Sequence, residues 1–333
     1  MVPVLTSMNA RTLTTATLFT AFAGVLTARA ADSQLLSMVM PDAKVVAGVN
    51  VDSAKASPFG LYVLTQMQSN NTGLQQLIAL TGFDPTRDVH ELLAATDATP
   101  GSKTPTGLVL ARGNFDPATI TALATSKGAA TEPYGGVTII EDPKQMAGIA
   151  FFNSTLVIAG DVANVKAAID RPGTGQTLPS AVLTQVGLWS GTKAEDAWVI
   201  TTVPLGSLLP SAAASGATTG TAPASPLAGV LQQVQQMAAG VKFGSSVVGT
   251  AAIQSDNAAD ATQLANTLQF LVNMAQMQSQ SNSQLTSLAQ GFSVSAQGTT
   301  VNVTVTLPEA QFQQLFQMEK KAAAATPHVG RGK

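Results

Sequence analysis

Two stretches far apart in the chain follow one plan: FFNSTLVIAGDVANVKAAI (Phe151 to Ile169) and SAQGTTVNVTVTLPEAQFQQLF (Ser295 to Phe316). Each reads strand, two-residue polar turn, strand, helix. Apolar residues follow the second strand at matching spacing, Val165, Ala168 and Ile169 in one and Phe312, Leu315 and Phe316 in the other. KVVAGVNVDSAKA corresponds in the same way with AWVITTVPLGSLL, and LARGNFDPATITAL with AAIQSDNAADATQL. A unit that appears twice limits the fold more than any single motif does, because each copy has to bury its own faces. We expect an α+β protein made of a duplicated unit of antiparallel-rich sheet with amphipathic helices on one face. Residues 31–175 would form the first copy and 176–318 the second, which lacks a counterpart of GVTIIED and has a longer helix near Asp256 to Gln280.

The period of the apolar residues supports this plan. In KVVAGVNVD, Val45, Ala47, Val49 and Val51 fall on one face and Val46, Gly48 and Asn50 on the other. TVNVTVT places Val301, Val303 and Val305 inward and Asn302, Thr304 and Thr306 outward, which marks a strand with one covered and one wet face. GLVLAR and GIAFF are more continuously apolar and should lie centrally. Helical stripes run through Phe59, Val63 and Met67, through Leu227, Val230, Leu231 and Val234, and through Leu264, Leu268, Leu271 and Ala275. Asp84-Pro85 and Asp116-Pro117 each pair a capping carboxylate with a proline that loses no needed N–H. The uncharged stretch 210–226 (PSAAASGATTGTAPASP) cannot offset its ordering entropy and reads as a flexible loop.

The first thirty residues have the three parts of a signal peptide: Arg11, the apolar run Leu13 to Leu26, and the small-x-small site Ala28-Arg29-Ala30. Either Met1 or Met8 serves as the start, and cleavage after Ala30 would send the chain to the periplasm or outside the cell. No later stretch is apolar enough to span a bilayer. The sequence has no cysteine, so disulfides are excluded and the fold rests on burial. Only 11% of residues are charged, against about 25% in typical domains, and the net charge is −2. No basic run inside the fold invites nucleic acid. Lys320, Lys321, Arg331 and Lys333 fall in a basic tail, residues 319–333, read as disordered.

Few residues point to chemistry. The cluster GFDPTRDVHELL gathers Asp84, Arg87, Asp88, His90 and Glu91, where a histidine between carboxylates suits a general base or half a metal site. The structural alternative gives Asp84 a capping role, pairs Arg87 with Asp88 and lets His90 open a strand. The only other histidine is His328 in the tail, so no metal or cofactor site is expected. Ser190-Gly191-Thr192-Lys193 and Ser255-Asp256-Asn257 resemble two signatures of serine β-lactamases and penicillin-binding proteins, but no Lys-Thr-Gly follows. The turn Ala159-Gly160-Asp161 lacks the glycines of a phosphate cradle, and its aspartate suits a helix cap. Asp88, His90 and Ser190 are thus the catalytic candidates, all weak.

MPDAKVVAGVNVDSAKASPFG, FDPTRDVHELL and NSTLVIAGDVANVKAAI resemble landmarks of exported bacterial proteins of unknown function with a repeated α+β plan. That resemblance implies the architecture and brings no catalytic residues. The leading expectation is a non-enzymatic envelope protein that binds a partner protein or polymer through a polar sheet face and loops. A periplasmic carrier of an apolar, lipid-like ligand held between helices and sheet is the alternative. A hydrolase using Asp88, His90 or Ser190 comes third.

Overall fold

The computed structural model describes residues 31–62, 65, 72–97, 106–142, 146–203, 234, 236–278 and 290–311. The expected signal peptide, the loop 210–226, the stripe at Leu227, Val230 and Leu231, and the basic tail lie outside them.

Among the described residues twelve strands lie in one sheet: β1 (Val45–Asn50), β2 (Val89–Thr96), β3 (Gly107–Gly113), β4 (Ala130–Tyr134), β5 (Val137–Asp142), β6 (Ala147–Asn153), β7 (Leu156–Asp161), β8 (Ala197–Thr201), β9 (Gln236–Phe243), β10 (Ser246–Gln254), β11 (Phe292–Gln297) and β12 (Thr300–Pro308). Their order across the sheet is β11-β12-β10-β9-β8-β1-β2-β3-β7-β6-β5-β4, and every neighbour pair is antiparallel. The protein is therefore α+β. From the β1–β8 pair outward, one side runs β1-β2-β3-β7-β6 and the other β8-β9-β10-β12-β11. The two halves share one topology. The β4–β5 hairpin, which contains GVTIIED, is an addition to the first half alone.

The seam pairs Val45 with Thr201 and Val49 with Ala197, so neither half has a free inner edge. Side chains on the two faces of β1 explain its central place. Val46 packs with Leu93, Ile200 and Trp198 on one side, while Val45 and Ala47 are buried on the other.

Helices cover both faces. On the Val46 face lie α1 (Ser33–Met38), α6 (Val162–Asp170) and α7 (Ser180–Val186), followed by a π-helical turn (Gly187–Thr192). Leu35, Met38, Val165, Ala168, Val182, Val186 and Trp189 meet Leu93, Leu110, Leu156 and Ile158 there. On the opposite face α8 (Ala258–Gln278) sets Ala261, Leu264 and Ala265 against Val301, with Ile253 and Met237 alongside. Phe115, at the entrance to α5 (Pro117–Ser126), packs against Ala111 and Val89 on that same face. The expectation of helices on one face differs from this because strands of the first half are apolar on both sides, so each face needs its own cover. The caps follow the sequence signals: Asp84 accepts from Thr86 N ahead of α4 (Pro85–Asp88), Asp116 from Thr119 N, and Asp161 from Asn164 N.

Two glycines let tryptophans sit on the sheet. A Cβ at Gly48 would lie 2.4 Å from the Trp198 ring, and one at Gly240 would lie 2.5 Å from Glu195 Cγ and 2.9 Å from Trp189. Gly249, by contrast, faces open space. Gly48→Val overpacks the seam and should destabilise by about 1–3 kcal/mol. Gly249→Ala should leave thermal unfolding nearly unchanged, so the pair of melting temperatures checks the packing argument.

Candidate functional site

His90 stands at the start of β2, half-exposed, and the fold brings two distant residues to it. Asp52, in α2 (Val51–Ala56), lies 2.8 Å from Nδ1, and Asn114 Nδ2 lies 3.1 Å from Nε2. Burial works to raise the Asp52 carboxyl, but hydrogen bonds from His90 and Lys55 outweigh it and hold the carboxyl below its ordinary range. Lys55 Nζ also donates to the carbonyls of Arg87 and Val89 at 2.9 and 3.0 Å. Asp88 is elsewhere engaged: Arg87 Nε and Nη2 both donate to it at 2.7 Å, and its Oδ2 accepts from Asp84 N at 2.8 Å. The guanidinium keeps the Asp88 carboxyl below its ordinary range. The sequence cluster thus divides into two arrangements. Asp88 fastens a turn, and His90 bridges Asp52 to Asn114 with both ring nitrogens taken.

Ser190 lies in the π-helical turn, buried, with its hydroxyl donating to the Val186 carbonyl at 2.7 Å. Lys193 does not approach it as a base would; Nζ sits 3.5 Å from the centre of the Trp189 ring, and burial lowers its pKa. Ser255 is buried just past the end of β10.

Sequence reasoning passed over the two most buried carboxylates. After the π turn the chain passes through a left-handed residue, Ala194 at φ 57°, and this folds Glu195 back over Gly240. Glu195 Oε1 accepts from Thr250 Oγ1 at 2.8 Å, while Oε2 is buried without a partner among the described residues. Asp196 is fully buried; Oδ2 accepts from Phe243 N at 2.6 Å and Oδ1 has no partner there. Burial, reinforced by Glu195, pushes the Asp196 carboxyl up to about 7 against the opposing pull of Phe243 N–H and Lys242. No sequence signal marks this pair, because GTKAEDAWV reads as an ordinary charged turn before a strand. Among the described residues no group of three His, Asp or Glu is placed to hold a metal ion.

A ladder of uncharged polar residues lies on the sheet itself. On β11 and β12, Ser293 faces Thr304, Ser295 faces Asn302 and Gln297 faces Thr300, all on the Val46 side of the sheet. Thr304 continues to Thr250 on β10. Gln254 ties the end of this ladder, accepting from Thr300 Oγ1 at 3.1 Å and donating to Thr299 Oγ1 at 2.7 Å. Ser293, Ser295 and Gln297 are exposed, and Asn302 and Thr304 are half-buried. In the first half the matching face is core. Leu156 and Ile158, which follow the Ser154–Thr155 turn as Thr300 and Asn302 follow Gly298–Thr299, are fully buried beneath α6. A shallow hollow of about 610 Å³ opens on the outward side of α8, beside Thr262, Asn266 and Phe270. It does not lie between helix and sheet, where a carrier cavity was expected.

No family model matches the chain, and no curated protein matches it. Among solved structures it is similar to three crystal forms of TP0453, a bacterial protein. Form III has 11% identity and a TM-score of 0.49, covering 85% of this chain and 97% of that one. Form IV has 10% identity and 0.48 over 84% and 96%, and form I 10% and 0.47 over 85% and 96%. No described helix is long and apolar enough to cross a membrane.

Two outcomes follow from these environments. An aspartate whose native pKa is raised holds its proton after the unfolded chain has released it, near pH 3.9. The contribution of Asp196 to stability should therefore be greatest below about pH 4 and fall as the pH rises toward 7, by something on the order of a few kcal/mol. Asp196→Asn should flatten that arm in denaturant titrations across the same pH range. His90→Ala removes an exposed pair and should change stability by no more than about 1 kcal/mol.

Proposed function

We infer that this is an exported envelope protein that holds a partner protein or polymer without chemical turnover. The observation that carries the reading is the ladder of Ser293, Ser295, Asn302 and Thr304, an uncharged hydrogen-bonding surface on a sheet face that no described helix covers. A sheet face of this kind offers donors and acceptors at regular spacing, two residues apart along each strand and about 4.8 Å between strands. Such spacing suits an extended partner that presents hydroxyls or amides of its own. Specificity then comes from hydrogen bonds rather than charge, in keeping with a chain only 11% charged. Export is part of the reading and rests on the leader-like residues 1–30, with their Ala-x-Ala ending.

The test uses purified protein cosedimented with isolated envelope polymer, and in parallel presented to immobilised envelope proteins, at low and high salt. Binding through an uncharged ladder should persist at high salt, since screening acts on charges. Ser295→Lys with Asn302→Lys should weaken it by at least about tenfold while the circular dichroism stays unchanged, one lost buried hydrogen bond costing about 1 kcal/mol or more. Binding equal to the unsubstituted protein's, or turnover in a broad hydrolase screen, would contradict the reading.

A further inference from the structure

The segment that opens the described chain is held as firmly as the core. Ala31 N donates to Ser190 Oγ at 3.0 Å, and that hydroxyl in turn donates to the Val186 carbonyl. Asp32 N donates to Glu91 Oε1 at 3.0 Å, and Arg112 Nε donates to the Asp32 carboxylate at 2.8 Å. Asp32 also caps α1 by accepting from Gln34 N and Leu35 N at 2.7 and 3.2 Å. Behind it Leu35, Met38 and Val39 are buried, and Arg171 donates to the Met38 carbonyl. Residue 31 is thus a fixed point of the fold.

The charges around that point do not balance. Asp32 and Glu91 bring two carboxylates, and Arg112 brings one guanidinium. Successive backbone nitrogens are three bonds apart, so Ala31 N lies within about 7 Å of the Glu91 carboxylate. A positive charge on Ala31 N would make the group neutral, and screening is weak at so short and partly buried a distance. The sequence supplies a way to create that charge, since Ala28-Arg29-Ala30 is the small-x-small pattern after which a leader is cut.

We propose that hydrolysis of the Ala30–Ala31 peptide bond completes this cluster, and that the new α-ammonium of Ala31, seated on Ser190 Oγ beside Glu91, is a structural cation of the mature protein. In the cut, water adds its hydroxyl to the Ala30 carbonyl carbon and a proton to the Ala31 nitrogen. The freed amine takes up a further proton, as an α-amino group does below about pH 7.7–8.0. Ser190 is then an acceptor for the chain terminus, and a leader peptidase is the class of enzyme that acts on the bond. Processing and final stabilisation become one event. The proposal rests on the export reading for its cleavage step, and the seat itself can be tested apart from export.

The mature chain, 31–333, is released from a fusion by a protease that leaves Ala31 first. It is compared with the same chain Nα-acetylated, which keeps the N–H and removes the charge, and with a chain that retains Ala30. The free-amine form should melt about 2–5 °C above both others. In the Glu91→Gln background the gap between free and acetylated forms should shrink by at least half. Equal melting of all three forms would overturn the proposal, as would a gap unchanged by Glu91→Gln. Ser190→Ala should lower the free-amine form more than the acetylated one, because it removes an acceptor from a charged donor; equal loss in both would count against the seat. N-terminal sequencing of protein collected from the envelope separates the two readings. A terminus at Ala31 is expected, a terminus elsewhere overturns the processed seat, and protein retained inside the cell with its leader intact refutes export.

Discussion

Five backbone pairs between β1 and β8, from Val45–Thr201 to Val49–Ala197, turn two similar half-sheets into one. Without them each half would end in an open inner edge, and an unpaired apolar edge strand is a template for aggregation. The pairing also fixes the core above it. Trp198 lies over Gly48 on β1, and two strands away, on β9, Trp189 and Glu195 lie over Gly240, so the seam is flanked by two indoles that only glycine could admit. The π turn, the left-handed Ala194 and the buried pair Glu195–Asp196 all follow from bringing Trp189 down onto that spot and returning the chain to start β8.

The two halves share a topology and spend it differently. In the first, Leu156 and Ile158 on the β7 hairpin make core beneath α6; in the second, Thr300 and Asn302 occupy the corresponding places and make that face polar. Val301 and Val303 occupy the places of Val157 and Ala159, on the opposite face, where Val301 meets α8. One backbone plan thus carries a buried apolar face in the first half and a polar face in the second.

Much of this was readable from residues, because strands and caps are local. Period-2 valines placed β1 and β12, Asp-Pro pairs placed the starts of α4 and α5, and the matched hairpins implied the repeated order. What escaped was long-range. Nothing near Val45 says that its partner is Thr201, and nothing in GTKAEDAWV says that Asp196 will be buried while Glu195 folds over a glycine on β9. His90 was conspicuous, yet its companions Asp52 and Asn114 come from separate elements and carry no shared spacing. Placing helices on both faces required knowing that β2 and β3 are apolar on each side, which a single strand pattern does not reveal.

The account stands on the seam's being the most stable part of one cooperative sheet. Native-state hydrogen exchange, followed peptide by peptide, measures this directly. The amides of 45–50 and 197–201 should exchange only through global unfolding, at a common rate and more slowly than those of the outer strands β4 and β11. Fast exchange across β1 and β8 while the outer strands of each half stay protected would mean that the halves fold separately, and would contradict the central claim.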